Sequence, residues 1–172
     1  MATGRRERAI ATPEVPRIPV TGIDHLAIPS GDGERLASFY RAPGFALHGF
    51  DEWRAGRAPL FSIVCGDQKI HVHPENLVPA RGHPAYLRGD AAEAGCGDIC
   101  VVWKGGVDAL LAMLAREGVK PVEGPVPRMG GRAGGTTVGI SVYVRDPDHN
   151  LLEFISYDSD NVAAHRDAGP VR

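Results

Sequence analysis

Four residues with metal-ligating side chains stand at comparable points of a pattern that the chain states twice. The first statement opens on Gly22-Ile23-Asp24-His25-Leu26-Ala27-Ile28, passes a helical stretch ending Phe39-Tyr40, and closes on Gln68-Lys69-Ile70-His71-Val72-His73. The second opens on Gly97-Asp98-Ile99-Cys100-Val101-Val102, passes a helix at Val107 to Glu117, and closes on Asn150-Leu151-Leu152-Glu153-Phe154. His25, His71, Asp98 and Glu153 therefore read as a metal site divided between two repeats. A few protein ligands on one face leave adjacent coordination positions open. A small molecule with neighbouring oxygens chelates there, and the cation stabilises negative charge developing on an oxygen.

Each of these side chains also has a plainer structural role open to it. Glu153 lies between Leu152 and Phe154 on a strand expected to be covered, where an inward carboxylate is costly unless paired or metal-bound. His25 interrupts an apolar strand, and its place in the repeat reads it as a ligand. Asp98, following Gly97, reads equally as a ligand or as a turn cap. His71 and His73 share one strand face, so the sequence leaves open which of them reaches the site; His73 is otherwise a substrate-side residue. The Tyr143 hydroxyl is suited to donate to a substrate oxyanion or to act as an acid. Arg128 and Arg132 flank the glycine-rich run 130–135 and offer guanidinium forks for a carboxylate or phosphonate. That run is expected to be a mobile loop that closes over bound substrate. Asp146-Pro147-Asp148 reads as turn chemistry.

Strands are expected at 22–28, 60–65, 69–73, 98–103, 120–123, 138–144 and 151–157. The first helix is capped at Asp32 and carries Leu36, Phe39 and Tyr40 on one face; the second carries Val107, Leu110, Leu111 and Leu114 and stops at Gly118. The order is βαβββ, twice. Residues 1–18 are expected to form a flexible arm and 159–172 a flexible tail, around a single domain, 19–158, made of modules about 20–75 and 97–158. No apolar run approaches the roughly 20 residues of a membrane span. A net charge of −2 gives no electrostatic reason to expect nucleic acid. Cys65, Cys96 and Cys100 make no disulfide set or zinc knuckle, and read as thiols of a reducing cytoplasm.

At Ile23-Asp24-His25-Leu26-Ala27-Ile28, Phe39-Tyr40 with Gly44-Phe45, and Val142 through the Asp146-Pro147-Asp148-His149-Asn150 turn to Glu153, the chain resembles the vicinal oxygen chelate superfamily. That superfamily includes glyoxalase I, fosfomycin- and bleomycin-resistance proteins and extradiol dioxygenases. Gly66-Asp67-Gln68-Lys69-Ile70 and Glu123-Gly124-Pro125-Val126 further resemble its small glyoxalase-domain branch. The resemblance implies an α+β fold of two βαβββ modules forming a curved, cup-like mixed sheet. It also implies a divalent metal, Mn²⁺, Fe²⁺, Mg²⁺, Ni²⁺ or Zn²⁺, held from the first and last strands. His25 matches a first-strand histidine and Glu153 the terminal carboxylate. Asp98 stands where many relatives have a second histidine, which makes the site harder and favours Mn²⁺, Fe²⁺ or Mg²⁺. The implied function is lyase, isomerase or ring-cleaving dioxygenase chemistry on a small molecule with vicinal oxygens, Glu153 and Tyr143 being its catalytic residues. The alternative is a non-catalytic small-molecule or antibiotic-binding protein with the same cup. A homodimer is expected, because curved sheet edges are normally paired or covered. The modules pair either within one chain or across a swapped dimer.

Overall fold

A computed structural model describes residues 19–79 and 81–165. The first module runs β1 (His25–Ser30), α1 (Gly33–Arg41), β2 (Leu47–His48), α2 (Phe50–Arg54), β3 (Phe61–Cys65) and β4 (Gln68–Pro74). The second runs β5 (Asp98–Trp103), α3 (Val107–Arg116), β6 (Glu123–Gly130), β7 (Thr137–Arg145) and β8 (Leu151–Ser156), and α4 (Ser159–His165) follows it. Each module closes one four-stranded sheet, ordered β1-β4-β3-β2 and β5-β8-β7-β6. In each, the opening strand lies at the edge, parallel to the closing strand, and the other pairings are antiparallel. This permutation is what brings first- and last-strand side chains together.

Local chemistry sets the elements. Asp32 caps α1, its carboxylate accepting from the Arg35 amide at 3.0 Å. Gly66, at φ 62°, makes the two-residue turn between β3 and β4. Gly118, at φ 69°, ends α3 while the Val119 amide donates back to the Leu114 carbonyl at 2.9 Å. Alternation then turns Ile28, Phe61, Ile63, Ile70 and Val72 of one sheet, and Ile99, Ile140, Val142, Val144, Leu152 and Phe154 of the other, into one core with Leu36, Tyr40, Val107, Leu110 and Leu114. Each such large apolar side chain contributes roughly 2 kcal/mol by leaving water.

One polar turn, Asp146 to Asn150, locks the second module to the first. Tyr40 of α1 donates to Asp146 at 3.2 Å, Ser30 donates to Asp148 at 2.5 Å, and Arg35 donates to the Pro147 carbonyl at 2.8 Å. The Asn150 side-chain oxygen accepts from the Gly97 amide at 2.7 Å, which ties the same turn to the start of β5.

The structure corrects several expected elements. The strand expected at 120–123 instead begins at Glu123 and runs to Gly130, through Pro125 and Pro127. Prolines are tolerated there because β6 is an edge strand. Gly130 thus belongs to a strand, and only 131–136 remain as the connection to β7. β2 and α2 were not expected. The tail expected from Ser159 begins as α4, with Val162 packed against the core and the helix lying on β6 and β7. The arm 1–18 and the stretch 166–172 lie outside the described residues. No helix among the described residues is long and apolar enough to cross a membrane.

Candidate functional site

Strand alternation gives each sheet one face toward the core and one away from it. On the first sheet, register places Ala27, His71, Ser62 and His48 in one row across β1, β4, β3 and β2, with His25 and His73 two residues to either side. All of these lie on the face away from the core. The His25 and His71 rings meet edge to face, with centroids 4.5 Å apart. His73 follows at 6.3 Å from His71. It is therefore His71, not His73, that pairs with His25.

Each of the paired imidazoles is held from behind. His25 Nδ1 lies 2.6 Å from the Asp24 carboxylate, which only accepts, so Nδ1 donates there and Nε2 is left as the outward nitrogen. His71 Nδ1 lies 2.9 Å from the Ser62 hydroxyl, which leaves its Nε2 outward. Such partners fix the orientation of metal-ligating histidines and raise their basicity. Partial burial, and after it the neighbouring His25 and Lys69, lowers the pKa of His71. His73 is lowered too, by burial and then by the Arg88 charge.

The second sheet repeats the arrangement with acids. Register places Cys100, Glu153 and Tyr143 in one row, and Asp98 precedes Cys100 as His25 precedes Ala27. Glu153 thus holds the place of His71, Asp98 that of His25, and Tyr143 that of Ser62. Glu153 accepts a short hydrogen bond from the Ser141 hydroxyl. Asp98 is exposed at the start of its strand.

Arg128 donates from Nε to the Tyr143 oxygen at 3.1 Å, from Nη2 to Glu123 at 2.6 Å and from Nη1 to the Pro127 carbonyl at 3.0 Å. A guanidinium only donates, so the Tyr143 oxygen accepts from it and the phenolic proton is free to point toward Glu153. Burial, then the Glu153 charge, raises the Tyr143 pKa against the opposing pull of Arg128, so the hydroxyl stays protonated. Arg132 stacks its guanidinium over the Tyr157 ring at 4.1 Å, at the far end of the same sheet.

The chain therefore brings His25 to His71, and Glu153 to Tyr143 and Ser141, but it does not join the two groups. Among the described residues no three His, Cys, Asp or Glu side chains lie close enough to hold a metal. A cleft of ≈450 Å³ between the modules, lined by Phe45, Val64, Val102, Trp103 and Phe154, contains none of these candidates. In donor chemistry the two halves fit a divalent cation: anchored imidazoles in one and carboxylates in the other. Sequence reading missed Asp24, Ser62, Ser141 and His48. The signal for the serines was a hydroxyl between apolar neighbours, Phe61-Ser62-Ile63 and Ile140-Ser141-Val142, which on a strand faces away from the core.

Known proteins share this fold. The chain is 31% identical over 150 residues to a glyoxalase domain-containing protein of Mycosarcoma maydis, covering 82% of this chain and 71% of that one. The crystal structure of a virulence protein of Salmonella typhimurium superposes with a TM-score of 0.66 at 27% identity, over 81% of this chain and 99% of the other. An integron cassette protein from V. cholerae gives 0.66 at 26% identity, over 83% and 99%. The model of the Glyoxalase/Bleomycin resistance protein/Dioxygenase superfamily matches residues 22–154, and with the doubled βαβββ sheet this places the chain in that superfamily.

Proposed function

We propose that the protein is a divalent-metal-dependent enzyme acting on a small molecule with vicinal oxygens, by lyase, isomerase or ring-cleaving dioxygenase chemistry. The observation that carries this reading is the His25–His71 pair, each ring anchored through Nδ1 and offering Nε2 on the open face of the sheet. His25 and His71 would hold the cation, with Glu153 and Asp98 supplying its carboxylate ligands. When bound, the metal would supply Lewis-acid stabilisation of charge on a substrate oxygen. Tyr143, its oxygen taken by Arg128, would give its proton to a hydrogen bond on the reacting side, and Ser141 would orient Glu153.

Because the histidine pair and the acid pair do not meet within one chain, the complete site is proposed to form in a homodimer. β1 and β5 are both sheet edges, and Ile23, Leu26 and Val102 beside or on them are exposed. Open apolar edges of this kind are normally covered by a partner. The three free cysteines fit a reducing cytoplasm as the place of action.

Metal analysis of purified protein, followed by Mn²⁺ titration, tests the reading. His25→Ala and Glu153→Ala should each weaken Mn²⁺ binding by about 10-fold or more, the scale of losing a group that ligates or directly supports a metal. Both variants binding Mn²⁺ like the unmodified protein would move the site elsewhere. Ligand binding without metal uptake would favour the binding-protein reading of the same fold.

A further inference from the structure

Beyond Glu153 the open face of the second sheet continues toward Tyr157, over a floor built on glycine. Ser141, which bonds Glu153, pairs in register with Ile155, so Ile155 shares the Glu153 face. Gly139 lies beneath Ile155, where a Cβ would stand 2.6 Å from Ile155 Cγ1. At Gly130, on β6, a Cβ would overlap the Tyr157 hydroxyl and stand 2.7 Å from Ile155 Cδ1. Gly130 is two residues from Arg128, whose side chain reaches Tyr143 on that same face. The two glycines therefore let Ile155 and Tyr157 lie close against the sheet, on the side that carries Glu153.

Arg132 stands on this platform. Its guanidinium carbon lies 4.1 Å from the centre of the Tyr157 ring. Stacking occupies one face of a guanidinium and leaves the N–H donors around its edge for other partners. Among the described residues no carboxylate lies within ion-pair distance of Arg132, whereas Arg128 is committed to Tyr143, Glu123 and Pro127. The backbone that presents Arg132 is itself specified. A 3-10 turn, Arg132–Gly134, directs the Arg132 carbonyl to accept from the Gly135 and Thr136 amides at 3.1 and 3.2 Å. The Thr136 hydroxyl donates to the Ala133 carbonyl at 2.9 Å. Ala133 sits at φ 49°, a left-handed conformation that is costly for a residue with a Cβ and is held by these bonds.

We propose that Arg132, mounted on Tyr157, is the subsite for an anionic end of the substrate: a carboxylate, phosphate or phosphonate. That group is carried by the same molecule whose vicinal oxygens lie at Glu153. A guanidinium binds such groups through paired charge-assisted hydrogen bonds, and one already held on a ring has less freedom to lose on docking. Four strand residues separate Glu153 from Tyr157, roughly 13 Å along the sheet. The inference rests on the reading of the Glu153 face as the substrate face. It narrows the substrate to elongated anions, with the charge on the order of 10 Å from the chelating oxygens.

The test uses full-length protein freed of metal with a chelator and held at fixed ionic strength, so that it does not depend on metal uptake. Inorganic phosphate and, separately, acetate are titrated while the NMR signals of the Tyr157 ring and the Ile155 Cδ1 methyl are followed. Saturable shifts of both signals are expected with at least one anion, and the tighter of the two tells a tetrahedral from a planar oxyanion. Arg132→Gln should weaken that binding about 10-fold or more, and Arg132→Lys by less, because an ammonium keeps the charge without the fork. Tyr157→Phe, which keeps the ring, should bind within about twofold of the unmodified protein, whereas Tyr157→Leu should lose about threefold with the platform. Urea unfolding of each variant separates lost binding from lost folding, and Arg132→Gln, on an exposed turn, keeps the test open should Tyr157→Leu unfold. No saturable shift with either anion, or equal affinity in Arg132→Gln and the unmodified protein, would overturn the proposal. Failure of the metal reading would show separately, as unchanged Mn²⁺ uptake in Glu153→Ala.

Discussion

Tyr40, in the last turn of α1, donates a 3.2 Å hydrogen bond to Asp146, in the turn that precedes β8. The two residues are 106 positions apart, and both are buried. Asp146 is also the organiser of its own turn: one carboxylate oxygen accepts from the amides of Asp148 and Asn150, and the other accepts from the Asn150 side chain as well as from Tyr40. A single carboxylate therefore shapes the approach to the strand that carries Glu153 and fixes that approach against the helix packed on the strands that carry His25 and His71.

Asp146→Ala would leave four donors without their acceptor in a buried place. It should destabilise the fold by roughly 3 kcal/mol, whereas Tyr40→Phe, which leaves the turn's own bonds intact, should cost roughly 1 kcal/mol. Urea unfolding with an unchanged slope against denaturant would measure both. Equal costs for the two variants would mean that the turn is held by its backbone and not by this carboxylate.

The same carboxyl gives stability a sign with pH. Burial raises its pKa above the usual aspartate value, against the opposing hydrogen bonds from Asn150 and Tyr40. Between the unfolded value of about 3.9 and the raised folded value, the folded chain holds more protons than the unfolded one, so this group's contribution falls as pH rises through that window and is level above it. Asp24 and Glu52 are lowered instead and act in the opposite direction. The contribution of Asp146 is therefore read as the stability difference between the unmodified protein and Asp146→Asn. That difference should drift in favour of the variant as pH rises through the window and then become constant.

How much of this was legible from residues alone follows from how each signal arises. The doubled module was legible because His25, His71, Asp98 and Glu153 recur at strand positions, and register puts them in matching places. Which of His71 and His73 belongs to the pair was not, because a period of two puts both on one face; Ser62 on a neighbouring strand and the His25 ring separate them. β6 was hidden by Pro125 and Pro127, whose meaning depends on the strand lying at an edge. α2 and α4, at five and seven residues, are too short to show a helical period. Arg128 read as a loop charge beside glycines, whereas β6 commits its donors to Tyr143, Glu123 and Pro127.

Arg128 favours the Tyr143 phenolate by donating to its oxygen, while burial and Glu153 oppose ionisation. Removing the cation while keeping a polar side chain, as Arg128→Gln does, should raise the Tyr143 pKa further. Ultraviolet difference titration against Tyr143→Phe isolates that one phenol. An unchanged or lowered value would show that Arg128 serves Glu123 and the strand, and does not orient Tyr143.

The proposed sharing of the site between two copies makes a prediction that neither single variant can imitate. His25→Ala removes one half of a site and Glu153→Ala the other. If the halves are joined across a dimer, a heterodimer of these two variants has one site lacking both residues and one site with both intact. With free subunit exchange at equal concentrations, half of the dimers are mixed, so about one quarter of all sites should regain Mn²⁺ binding. The measurement is Mn²⁺ bound at saturation by the mixture, before and after exchange, against each variant alone. Exchange can be driven by brief partial denaturation and followed by mass spectrometry of differently tagged chains, so failure to mix is seen directly. A mixture that exchanges fully but binds no more Mn²⁺ than its parents would mean that the histidine and carboxylate halves come from one chain, by a rearrangement of the modules about the Tyr40–Asp146 contact.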